Sequence, residues 1–100
     1  MDKYTVKLLP RAISDLDSIY TYITAELLAP EAAENLIEAI EETVFSLEDL
    51  PYRYPERKIG IYANKGYRQA FVKNYTLIYR VNEADKTVLI LTIRYSKSRF

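Results

Sequence analysis

Cysteine and histidine are both missing from this 100-residue chain. Without cysteine there is no disulfide framework and no thiolate metal site, and without histidine the commonest metal ligand and general base are gone. No metal or other cofactor is expected, and any chemistry must come from Lys, Arg, Tyr or carboxylates. Long apolar runs are also lacking. The first dozen residues, MDKYTVKLLPRA, hold no stretch suited to a signal peptide, and nowhere do eighteen apolar residues follow one another as a bilayer span requires. The expected setting is the cytoplasm, with no membrane partner. Glycine occurs only at Gly60 and Gly66, and no repeat or Gly/Ser linker divides the chain. At this length one domain over residues 1–100 with a single modest core is expected.

What is present is unevenly placed. The formal charge of zero hides a division: residues 1–56 carry twelve acids and four bases, and residues 57–100 carry two acids and ten bases. An acidic first half and a basic second half suggest that the second half meets something anionic. Ten tyrosines add to this, and Tyr52, Tyr54, Tyr62, Tyr67 and Tyr95 lie near the basic half. They could stack on unpaired bases, although tyrosine also suits strands and sheet rims.

The apolar spacing predicts the elements. Residues 4–9 alternate, with Tyr4, Val6 and Leu8 on one face of a strand that Pro10 ends. Ile13, Leu16, Tyr20, Ile23 and Leu27 make one stripe of a helix over 11–28. Pro30 suits the first turn of a second helix, whose stripe is Ala33, Leu36, Ile37, Ile40, Val44 and Leu47. The short link makes the pair an antiparallel hairpin. Residues 51–65, with two prolines and a glycine, read as a loop. Strands follow over 67–72, 75–82 and 87–95, the first two joined by a tight turn at Lys73 and Asn74.

The resulting class is α+β in the order βααβββ, with the N-terminal strand and helical hairpin on one face of a small, mainly antiparallel sheet. Strand parity puts Phe71, Tyr75, Leu77, Tyr79, Val81, Leu89, Leu91, Ile93 and Tyr95 toward the helices. It sends Arg68, Ala70, Val72, Thr76, Ile78, Arg80, Ile90, Thr92 and Arg94 to the other face. Arg68, Arg80 and Arg94 are then expected to converge on a free sheet face, with Lys97 and Arg99 added by the tail. Guanidinium groups so gathered would grip phosphates or an acidic protein through bidentate hydrogen bonds. Val72, Ile78 and Ile90 among them would be an exposed apolar cluster awaiting a partner.

The segments DLDSIYTYITAELLAPEAAENLIEAIEETVFSLEDLPYRYPE, GYRQAFVKNYTLIYRV and VLILTIRYSKSRF together resemble the RelE/ParE superfamily of bacterial type II toxins. The resemblance spans nearly the whole chain. It implies a βααβββ toxin that arrests growth and is neutralised by a cognate antitoxin, for which Val72, Ile78 and Ile90 are the candidate contacts. RelE-like members cut messenger RNA on the ribosome, whereas ParE-like members act on DNA gyrase through a protein interface. For a ribosome-dependent nuclease the candidate catalytic residues are Arg68, Lys73, Arg94, Tyr95 and Lys97, with Arg80, Arg99 and Tyr67 binding RNA or another target.

Of the positions that carry RelE-like catalysis, Arg68 falls where a lysine lies, Ala70 at a second lysine and Thr76 at an arginine. Tyr95 stands where some members have histidine, and a tyrosine of ordinary pKa near 10 is a poor general base at neutral pH. Messenger RNA cleavage is the first expectation, gyrase inhibition the second, and a non-toxic antitoxin-binding relative the third.

Overall fold

A computed structural model describes residues 3–100. The elements are β1 (Thr5–Leu8), α1 (Pro10–Thr21), a π-helical turn (Tyr22–Glu26), α2 (Pro30–Ser46), β2 (Arg68–Val72), β3 (Tyr75–Asn82) and β4 (Thr87–Tyr95). They form one four-stranded sheet in the order β1-β4-β3-β2, with β1 parallel to β4 and the other pairs antiparallel. The expected α+β class and βααβββ order hold.

Both helices begin on proline, whose missing N–H would be unpaired there in any case. On α2 the buried positions Ala33, Leu36, Ile40 and Val44, continued by Leu47, follow the expected stripe. Each full burial of a Leu or Ile of this kind contributes roughly 1.5–3 kcal/mol. On α1 the stripe is rotated: Ala12 and Ile23 are buried with Leu16 and Ile19 packed beside them, while Ile13, Tyr20 and Leu27 are exposed. The π-helical turn changes the rise per turn just there, so 3.6-residue spacing no longer predicts the face beyond Ile23. The hairpin link then reverses at Leu28, whose φ of 52° lies in the left-handed region.

Two departures in the sheet matter for function. Between β3 and β4 the pairing slips: Tyr79 faces Ile90 but Ile78 faces Thr92, so Leu91 is an extra residue. Such a bulge reverses side-chain parity on one side of it. Val88 and Ile90 therefore join Ile93 in the core, and Leu89 lies outside that cluster. In β2 the parity is the reverse of that expected. Ala70 and Val72 pair with Leu77 and Tyr75 and enter the core, whereas Phe71 is 62% exposed.

The expected apolar docking cluster is thus corrected. Ile90 and Val72 are core residues, and Ile78 is fully buried, so none of the three is an exposed contact in this conformation.

Candidate functional site

The sheet face away from the helices is not free. Thr76, Ile78 and Thr92 on β3 and β4 are buried, and the tail reaches back across this side, with Thr76 Oγ1 and Ser96 Oγ 2.8 Å apart. Phe100 is buried with its ring centroid 4.4 Å from the Arg57 guanidinium and 5.6 Å from that of Arg94. Arg57 comes from the loop before β2. Its Nε donates to the Ile59 carbonyl (2.9 Å), its Nη1 to Gln69 Oε1 (2.8 Å) and its Nη2 to the Phe100 main-chain oxygen (3.2 Å). Burial lowers its pKa. A hollow of about 670 Å³ lies here, lined among others by Arg57, Gln69, Phe71, Thr76, Arg99 and Phe100.

The expected convergence of three arginines does not occur. Arg68 stands on the parity of Ala70 and Val72, hence on the helix side of the sheet. There its Nη1 donates to the Tyr54 carbonyl at 2.7 Å and its guanidinium lies 4.9 Å from the Tyr52 ring centroid. Arg80 is exposed opposite Leu89. Arg94 is half-buried, donating through Nε to Thr92 Oγ1 at 3.1 Å. Only Arg94 and Arg99 of the sequence-derived set approach Phe100 or its hollow.

A second hollow, of about 910 Å³, opens between the helical hairpin and the β2–β3 turn. Lys73, at the turn with φ 53°, lines it with Arg94, Tyr22, Tyr75 and Tyr95 over a floor that includes Ile19 and Ile93. Tyr75 and Tyr95 meet edge to face with centroids 5.7 Å apart. Burial, with Tyr22 and Tyr95 close by, pushes the Tyr75 hydroxyl further above its ordinary value. Among the described residues no carboxylate lines this hollow. The structure therefore brings Lys73, Arg94 and Tyr95 to one place and leaves Arg68 apart. Lys97 is exposed in the tail, and Tyr67 packs edge to face on Tyr62 at 5.4 Å.

The residues that sequence reasoning missed are Arg57, Gln69, Phe71 and Phe100. Arg57 sits in a loop without periodicity, where nothing marks one arginine of two as buried. Phe71 was reachable only through the parity of its strand. Among the described residues no cluster of acids could hold a metal ion, and no helix is long and apolar enough to cross a membrane.

Residues 6–100 match the family described as the ParE toxin of the type II toxin-antitoxin system parDE. Comparison with curated proteins gives no match. Among solved structures, the chromosomal ParDE toxin–antitoxin system of P. aeruginosa is similar at 25% identity and TM-score 0.76, over 95% of this chain and 98% of that one. The toxin–antitoxin complex RelBE2 of Mycobacterium tuberculosis is similar at 26% identity and TM-score 0.65, over 93% and 98%. A chain of the intact E. coli RelBE complex, at 11% identity and TM-score 0.63 over 95% and 99%, shares the fold. With the family match covering all but the first few residues, the chain belongs to the ParE toxins of type II toxin–antitoxin systems.

Proposed function

We infer that this protein is a growth-arresting toxin that acts by binding its target rather than by cutting RNA, the target being DNA gyrase as the ParE resemblance implies. Its neutralising partner is a cognate antitoxin, consistent with the toxin–antitoxin assemblies among its structural neighbours.

The observation that carries this reading is the placement of Arg68. RNA cleavage by a 2′-hydroxyl needs a base, an acid and charge stabilisation around one phosphate. Arg68 occupies the position of a catalytic lysine but is spent on Tyr54 and Tyr52, on the opposite side of the sheet from Phe100. Ala70 and Thr76, at the other two positions, are buried. Lys73 and Tyr95 line a hollow to which no carboxylate among the described residues contributes, and the chain has no histidine. The exposed cations Arg80, Lys97 and Arg99 then act as contacts, and so does Tyr67.

Two assays test this in parallel. Purified toxin added to DNA gyrase is expected to block supercoiling, with the block lifted by the antitoxin. Primer extension on messenger RNA in a translating bacterial extract is expected to show an unbroken transcript. New 5′ ends at ribosomal A-site positions together with uninhibited gyrase would overturn the reading and restore the nuclease.

A further inference from the structure

On the binding reading, two of the contact cations, Lys97 and Arg99, lie between points where the tail is fastened to the sheet. At one end Ser96 N donates to the Asn74 carbonyl at 2.8 Å, and Ser96 Oγ lies 2.8 Å from Thr76 Oγ1. At the other end Phe100 is 8% exposed, and its ring is shared by two guanidiniums, Arg57 at 4.4 Å and Arg94 at 5.6 Å. Ser98 N donates to the Tyr95 carbonyl at 2.9 Å, which closes a turn between the two anchors. Lys97 and Arg99 both project into solvent from this fastened span.

The seat of Phe100 is more specific than burial of one ring requires. Arg57 is held in place by the Ile59 carbonyl and Gln69 Oε1, and its Nη2 donates to the Phe100 main-chain oxygen. Arg94 donates through Nε to Thr92 Oγ1, and the Thr92 hydroxyl donates to Asp15 on α1. One guanidinium is thereby tied to the loop before β2 and the other to a helix, so neither follows the ring if it moves. Gly60 completes the seat, since a Cβ there would lie 1.6 Å from the Phe100 main-chain oxygen. Cation–π attraction is stronger where a guanidinium has been withdrawn from water, as Arg57 has.

We propose that Phe100 is a positioning residue: seated on Arg57 and Arg94, its ring holds the tail so that Lys97 and Arg99 meet the target in one arrangement. Phe100 is buried and acts through those two cations rather than by touching the target. An unseated tail carries the same charges, but it must order its backbone and two long side chains on contact, a cost that the seated tail has already met. The inference rests on the reading that exposed cations of this chain contact a target, and it does not depend on that target being gyrase.

The test is a mutant cycle read by growth arrest at matched toxin levels, with gyrase supercoiling measured alongside. Its members are Phe100→Leu, which keeps apolar bulk without a π face, the pair Lys97→Ala with Arg99→Ala, and all three changes together. Phe100→Leu and the cation pair are each expected to weaken arrest by about threefold or more, and the combined chain should be no weaker than the cation pair alone. Phe100→Tyr, which keeps the ring, is expected to retain arrest. ¹⁵N relaxation of the Lys97, Ser98 and Arg99 amides should show faster motion in Phe100→Leu and parent-like order in Phe100→Tyr. Should Phe100→Leu fail to fold, Gly60→Ala unseats the residue with its ring intact, and Gly66→Ala controls for the backbone cost. Losses that multiply in the combined chain, full arrest from a chain with a loosened tail, or a tail equally ordered in every variant would overturn the proposal. Arrest that follows the expected cycle without inhibition of gyrase would remove only the gyrase reading and leave Phe100 its role.

Discussion

The Asp15 carboxylate on α1 accepts the backbone N–H of Ile93 on β4 at 3.1 Å, so a helix side chain fills the sheet edge where β1 has stopped. β1 pairs only as far as Ile90, and Leu9 N donates to the Ile90 carbonyl at 3.0 Å as the chain turns into α1. The same carboxylate accepts the hydroxyl of buried Thr92 and the Arg11 Nε. Asp15→Ala is expected to cost about 2–3 kcal/mol, since it strands donors that water reaches poorly. The exposed Arg11 pair adds little. Asp15→Asn should recover part of the loss. Urea melts read both, and an alanine variant within about 0.5 kcal/mol of the parent would mean that water replaces the carboxylate.

Arg68 and Arg80 separate folding from function. Arg68→Ala removes the bond to the Tyr54 carbonyl and the contact with Tyr52, an expected cost of about 1–2 kcal/mol. Arg80→Ala, at an exposed strand position, should leave stability within about 0.5 kcal/mol and lower toxicity by removing a target contact. Thermal melts beside growth assays of both variants decide this. Loss of toxicity in Arg68→Ala with an unchanged melt would return Arg68 to the functional surface.

Periodicity carried most of the architecture and parity carried little of the site. The stripe of α2 was legible because Ala33, Leu36, Ile40 and Val44 keep three- and four-residue steps over about three turns. The face of Ile90 was not, because one extra residue at Leu91 reverses everything on one side of it, and no glycine or proline announces the bulge. In β2 either face has apolar residues. Phe71 is the largest, yet Ala70 and Val72 go inward because small residues fit beneath α2 at the sheet edge. Arg68 went to the helix side with them. The Arg57 hollow was invisible because it joins a loop, a strand and a tail through contacts more than ten residues apart.

The Glu83 carboxylate predicts a particular response to pH. Lys86, Tyr52 and Tyr4 all donate to it and hold it down at about 2, and it pushes Lys86 up to about 12. A carboxyl below its unfolded value adds stability that is complete above about pH 4.3 and is lost as pH falls toward about 2. Lys86 runs the other way, its contribution complete below about pH 10.4 and lost as pH rises to about 12. Tyr4 and Tyr52, both raised, add to the alkaline loss. These groups face solvent, so the effect is small and weakened by salt. Melting temperature against pH should fall less steeply between about pH 4.3 and 2 in Glu83→Gln than in the parent. Identical acid limbs would assign that slope to other carboxylates.

Two glycines provide a measure of how firmly the tail is cradled. Gly60 and Gly66 have φ of +76° and +83°, a region that costs an L residue roughly 1–2 kcal/mol. At Gly66 an added Cβ meets nothing within 4 Å, whereas at Gly60 it would lie 1.6 Å from the Phe100 main-chain oxygen. That oxygen is main chain and is held by Arg57 Nη2, so no flexible side-chain tip can yield. Gly66→Ala should therefore show the backbone cost alone, while Gly60→Ala should add the displacement of Phe100 from between Arg57 and Arg94. Denaturant melts of the two variants give the difference. The ring-current shift on the Arg57 Nε–H shows whether Phe100 has left, and it should vanish only in Gly60→Ala. Equal destabilisation with the shift retained in both would mean that the tail swings aside at no cost, and that the face it covers opens without a partner's help.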